Sequence, residues 1–248
     1  TTSGTLTLGS NAQAAGIVTV NTADGTDTVD ASAMTSDLTI NLTAQGTGNN
    51  TTLTFGTGDD TLSVTGTAEL EATDTVTFGT GSDTLSLNNT SAAVTVAIDS
   101  DLVTGLESIV VADSDGGNTG TAQAINITNA AITATTTQNI TIDASAITDT
   151  NDTVSADMST GGSSTTTYTM TAGASVATFT GDNGADTLIG ASAADILDGD
   201  AGNDTITGNA GNDTITGGAG NDTLNGNAGN DIITAGAGND IVDAGAGN

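Results

Sequence analysis

From Gly181 onward the chain repeats itself every nine residues without a slip, a period too short and too regular for a conventional layered core. The units read GDNGADTLI, GASAADILD, GDAGNDTIT, GNAGNDTIT, GGAGNDTLN, GNAGNDIIT and AGAGNDIVD, followed by AGAGN. The sixth position is always Asp: Asp186, Asp195, Asp204, Asp213, Asp222, Asp231 and Asp240. The eighth is always aliphatic: Leu188, Leu197, Ile206, Ile215, Leu224, Ile233 and Val242. Gly and Asn concentrate at positions one, two, four and five, where they tolerate positive φ, so a tight turn with outward carbonyl oxygens is expected there. The last three residues of each unit fit a short strand with the eighth pointing inward and the seventh and ninth outward, so that Thr205 and Thr207 flank Ile206.

Charge narrows the chemistry. The 248 residues hold 30 Asp plus Glu and no Lys, Arg or His, a formal charge of -30 with nothing internal to balance it. Nucleic acids and phosphorylated ligands are excluded as electrostatic partners. Without His, Lys, Arg or Cys, the usual proton-transfer groups and strong nucleophiles are missing, and no enzyme activity is expected. Aromatic residues make up 2 % and Pro is absent, so a thin core of Val, Ile, Leu and Ala is expected. One inward side chain per nine residues buries too little apolar surface to offset the ordering of the backbone. With no cysteine to staple the chain, a metal is the candidate stabiliser. No apolar run is long enough for a membrane span, and the start at Thr1 suggests a processed or excised segment.

The nonads resemble the RTX family of calcium-binding repeats, whose pattern G-G-x-G-x-D-x-U-x is a signature of parallel β-helical coils. The resemblance covers residues 181–243 and departs from the pattern at Ala193, which stands in place of the fourth-position Gly and weakens the site around Asp195. It implies two nonads per flattened coil, so Asp residues two units apart stack on one edge at about the 4.8 Å strand spacing. Asp186, Asp204, Asp222 and Asp240 then share one edge, and Asp195, Asp213 and Asp231 the other. Two carboxylates about 5 Å apart repel by roughly 0.8 kcal/mol in water and about 3 kcal/mol at an effective dielectric of 20. A hard divalent cation coordinated by Asp and turn carbonyl oxygens reverses that sign. Calcium fits an irregular shell of six to eight oxygens, whereas magnesium demands an octahedron and zinc usually wants His or Cys. The resemblance also implies secretion, with folding in extracellular calcium.

Residues 1–180 alternate Thr or Asn with aliphatic residues in TLTL (5–8), GIVTV (16–20), DLTINLT (37–43), AVTVAI (93–98), SIVVA (108–112), AINIT (124–128) and NITIDA (139–144). That is a strand signal without helical period. TFGTGDDTLS from Thr54 and TFGTGSDTLS from Thr77 are near-copies and look like isolated RTX turns, which makes Asp60 and Asp83 candidate metal ligands. DGTDTVDASAM (24–34) and TNDTVSADM (150–158) are weaker variants that put Asp27 and Asp152 in the ligand position, with an Asx-type turn as the alternative. The echo of VDASAM (29–34) in IDASAI (142–147) suggests a recurring strand-to-corner unit. The expected fold is all-β: an irregular Thr-rich parallel β-solenoid over 1–180, for which a β-sandwich is the competitor, continuous with a calcium β-roll over 181–248. Asp59, Asp182, Asp198, Asp200 and Asp243 fall at non-ligand positions and are expected on the surface, with calcium sites between subunits as the alternative. Glu69 and Glu71 carry no mark of a glycosidase pair.

LVTGLESIVVAD (102–113) resembles a segment of RTX-type bacterial surface-layer proteins, which makes Glu107 a further candidate ligand. The leading functional expectation is a secreted calcium-binding structural protein that assembles with copies of itself into a surface layer, sheet or filament on a bacterial cell. Contact with cell-surface polysaccharide would fall to regions outside these residues. The alternatives are the calcium-dependent region of an adhesin and the non-catalytic secretion and folding domain of an RTX enzyme. An ice-binding face is disfavoured by Ala201, Ala210, Ala219, Ala228 and Ala237, where such a face would carry Thr.

Overall fold

The computed structural model describes residues 4–9, 19–22, 27–43, 50–65, 74–89, 94–98, 103–113, 124–129, 139–147, 152–159 and 166–247. Every strand pairing among them is parallel, which settles the choice between solenoid and sandwich. No helix among them is long and apolar enough to cross a membrane.

The strands, numbered in chain order, form three sheets. Sheet one holds β1 (Gly4–Thr7), β3 (Asp27–Asp30), β5 (Thr52–Thr54), β7 (Thr75–Thr77) and β10 (Val103–Thr104). Sheet two runs the length of the solenoid through β2 (Thr19–Thr22), β4 (Thr39–Thr43), β6 (Thr61–Thr65), β8 (Thr84–Asn89), β11 (Ser108–Asp113) and β13 (Asn139–Asp143). It continues through β15 (Thr167–Thr171), β17 (Thr187–Ile189), β19 (Thr205–Ala210), β21 (Thr223–Ala228) and β23 (Ile241–Asp243). Sheet three takes over from sheet one with β9 (Val94–Ile98), β12 (Ala124–Asn129), β14 (Thr153–Asp157), β16 (Val176–Thr180), β18 (Ile196–Asp198), β20 (Thr214–Ala219) and β22 (Ile232–Ala237).

Coil length varies, then locks. Thr61 pairs with Thr84 and Thr84 with Ser108, and the longer coil after these pairs Ser108 with Thr141. From the pair Thr169 and Thr187 onward, every partner lies two nonapeptide lengths away. This regular coil therefore begins before the nonapeptides do, and the ladder crosses residue 180 without a break. The offset between the two TFGTG segments is one coil: they stack directly, Leu62 on Leu85 and Thr57 on Thr80. Phe55 and Phe78 stack with them, ring centroids 4.9 Å apart.

Inward residues form continuous columns. On sheet two, Ile40, Leu62, Leu85, Ile109, Ile142, Met170, Leu188, Ile206 and Leu224 are successive register partners, and all are buried. On sheet three, Phe179, Leu197 and Ile215 do the same. The sheet-two column ends at the partner of Leu224, Val242, which is 48 % exposed. Corners reuse one device: the DASA echo is an Asx turn in both copies, with Ser32 N–H donating to Asp30 Oδ1 at 3.1 Å and Ser145 N–H to Asp143 Oδ1 at 2.9 Å.

Candidate metal centre

Parallel stacking brings the sixth-position Asp residues into two columns, because each stands just before a strand whose register partner lies two nonapeptides on. Each carboxylate accepts from the backbone of the coil before it. Asp186 N–H donates to Asp204 Oδ1 at 2.8 Å, Asp204 N–H to Asp222 at 2.9 Å and Asp222 N–H to Asp240 at 3.0 Å. On the other edge, Asp195 N–H donates to Asp213 at 2.9 Å and Asp213 N–H to Asp231 at 3.0 Å. The fifth-position Asn residues run the opposite way, as when Asn221 N–H donates to Asn203 Oδ1 at 2.7 Å, so adjacent turns are tied in both directions.

The second carboxylate oxygen decides the chemistry. In the first two units Oδ2 accepts from the second-position amide, Asp186 from Asp182 N–H at 3.0 Å and Asp195 from Ala191 N–H at 2.9 Å. From Gly199 on, the second residue is left-handed, with φ of 66° at Asp200, 73° at Asn209 and 68° at Asn227, a conformation that costs a non-glycine residue energy. In those units Oδ2 of Asp204, Asp213, Asp222 and Asp231 is buried without any partner. A buried carboxylate oxygen left unmatched is expensive.

What faces it is another oxygen. A methyl placed on Gly226 would lie 2.5 Å from Asp231 Oδ2 and 2.7 Å from the carbonyl of Ala244 in the next coil; on Gly217 it would lie 2.6 Å from Asp222 Oδ2. The first-position Gly is needed for this close approach, not for positive φ, which occurs instead at positions two and four. On the Asp231 edge the space opens as a cleft lined by Gly229, Asp231, Ala244, Gly245 and Gly247. Carboxylate and carbonyl oxygens converging between coils, with no nitrogen or sulfur donor, suit calcium.

Burial raises the Asp204 carboxyl to about 7, against the hydrogen bond from Asp186 and helped by the charges of Asp186 and Asp222. Burial likewise raises Asp186, Asp195 and Asp213. No Lys, Arg or His exists anywhere in the chain to relieve them.

The RTX calcium-binding nonapeptide repeat family matches residues 180–215 and 216–248, in four copies. The C-terminal roll is an RTX calcium-binding repeat array. Comparison with curated proteins and with solved structures returned no match. RTX repeats bind calcium, so the roll takes several Ca²⁺ ions, and proteins that carry them are typically secreted. The residues that would hold those ions are the Asp columns and the turn carbonyls just described. Replacing Asp204, Asp213 and Asp222 together by Asn keeps every Oδ1 acceptor but removes three charges. The calcium midpoint for folding, followed by circular dichroism, is expected to rise about tenfold or more, since ligand charge sets affinity in oxygen sites. An unchanged midpoint would remove these residues from the metal shell.

Outside the roll the sequence-predicted residues separate. Asp60 and Asp83 lie on a ladder of their own: Leu38 N–H donates to Asp60 Oδ1 and Asp60 N–H to Asp83 Oδ1, both at 2.8 Å. Asp83 N–H donates in turn to Glu107 Oε2 at 2.8 Å, so Glu107 completes that column. Asp27 is half-buried at the head of β3 opposite Gly4, in register with Thr51 and not with a carboxylate. Asp152 is buried two positions short of the register of Asp195. Among the described residues the register brings neither into a carboxylate column. Glu69 and Glu71 lie outside the described residues.

Asp182 is a correction. Expected on the surface, it is buried, its Oδ1 accepting from Gly184 N–H at 2.7 Å and its Oδ2 without a partner. Burial first, and then the charges of Asp186 and Asp200, raise its carboxyl to about 6. Asp200, at the same repeat position, is exposed; Asp182 differs because the irregular coil through Thr166 lies against its turn. Asp74, which accepts Thr51 N–H at 2.7 Å in the buried interior, carried no repeat signal.

Proposed function

We propose that this chain is a secreted, non-catalytic structural protein that self-assembles on the bacterial cell surface through a solenoid made rigid by calcium. The observation that carries this reading is the pair of buried carboxylate columns in a chain without a single basic residue. Stiffness is thereby conditional on an external cation, and a uniformly acidic particle repels its copies until cations screen or bridge them. The outer faces give such copies a repeating surface. On sheet three, Ile196, Thr214 and Ile232 are successive register partners on the outer face, and both isoleucines are exposed. Exposed apolar side chains on a flat Thr-rich face favour lateral packing of solenoids.

Electron microscopy at fixed protein concentration, with millimolar calcium and with excess chelator, tests the proposal. Ordered sheets or filaments are expected only with calcium. Monodisperse particles in calcium would leave a folded roll with no lattice role and would overturn it.

A further inference from the structure

The nonapeptide roll is not the one place where carboxylates stack. We propose that Asp60, Asp83 and Glu107 form a second divalent-cation column, outside residues 180–248 and built differently from the roll. Two independent features point to a ligand. First, the three acids come from successive coils, each joined to the next by a backbone hydrogen bond of 2.8 Å, so their charges are held in line. Second, Asp60 and Asp83 are 1 % and 0 % exposed, and the Oδ2 of each is buried with no hydrogen-bond partner.

An outer row reinforces the charge. Asp59 N–H donates to Asp37 Oδ1 at 3.0 Å and Ser82 N–H to Asp59 Oδ1 at 2.9 Å, which places those carboxylates along the exposed flank of the inner column. No internal cation can answer them, because the chain holds no Lys, Arg or His. Among the described residues no point gathers three or more carboxylates, so each ion would draw one or two of them and complete its shell from carbonyl oxygens and water.

The seat is not that of the roll. There the first position of the six units from Gly181 to Gly226 is a Gly that leaves space between Oδ2 and the next carbonyl. Here Phe55 and Phe78 hold that position, buried and stacked, so the cation must be approached from the turn side. A different shell implies a different affinity, and the two classes of site should separate in a titration.

The test uses the full chain and calcium alone as probe, with bound ions counted by equilibrium dialysis. Asp60→Asn with Asp83→Asn keeps both Oδ1 acceptors and should lose at least one bound ion. The ions lost in the Asp204, Asp213 and Asp222 triple variant should be retained, and the losses in the combined variant should add. Loss in the roll variant alone, with native stoichiometry in a folded Asp60/Asp83 variant, would overturn the column. Glu107→Gln, at a half-buried residue whose amide oxygen can still accept from Asp83, covers the case in which the double variant does not fold. It should weaken the same class of ions, and an unchanged titration would overturn the proposal equally.

Discussion

Stripped of calcium at pH 8, the roll over 181–247 is expected to lose its strand signal in circular dichroism, and lowering the pH to about 5 is expected to restore part of it. The unfolded chain releases its Asp protons near the ordinary carboxylate value of about 3.9. In the folded chain without metal, burial holds Asp60 and Asp182 up to about 6 and Asp204 up to about 7. The folded state therefore binds more protons than the unfolded state between about pH 4 and pH 7. Metal-free stability is fully present below the unfolded value and is lost as pH rises through the folded values. This is the reverse of a salt-bridged Asp, whose depressed pKa makes stability fall with acid.

Calcium inverts the slope. Its ligands must be deprotonated, so binding releases protons and calcium affinity climbs over the same window. The general repulsion of a chain with charge -30 also relaxes in acid, but calcium at the columns leaves that term largely in place. The discriminating measurement is thus the melting temperature against pH in metal-free buffer and in millimolar calcium. A metal-free melting temperature that is flat or rises from pH 5 to pH 8 would refute the account.

The parts of the architecture visible in the sequence are those dictated by stacking. A nine-residue period forces Asp186 over Asp204 and Leu188 over Ile206, and both pairs stand in register. The TFGTG pair revealed one irregular coil because its copies are stacked neighbours. Elsewhere in 1–180 the coils are unequal, from the short one that stacks Thr19 on Thr39 to the long one that stacks Ser108 on Thr141. Strand pattern alone does not say which strand follows which onto a sheet, and so Asp27 and Asp152 could be matched to a motif but not to a register. Asp74 and Asp182 were invisible for a related reason: their burial comes from neighbouring coils. The role of the first-position Gly was legible only in part. Its presence marked the turn, but its purpose is room for two oxygens, one of which belongs to the next coil.

That purpose yields the sharpest single substitution. Gly208→Ala is expected to remove at least one bound calcium and to raise the calcium midpoint for folding about tenfold, roughly the loss of one ligand interaction. Gly208 is not among the left-handed residues, so alanine suits its backbone. A Gly→Ala change at such a site ordinarily stabilises a protein by about 0.4–1 kcal/mol through the unfolded chain. Here the new methyl would overlap Asp213 Oδ2 and lie 3.1 Å from the carbonyl of Gly226, closing the space where the oxygens converge. The chain carries its own version of the change, since Ala235 occupies the first position of the unit whose ligand is Asp240. Ala235→Gly is accordingly expected to act in the opposite direction, lowering the calcium midpoint. Measured side by side by calorimetry, the two variants should move apart. Equal stoichiometry and midpoint in Gly208→Ala and the native chain would show that the ions sit elsewhere.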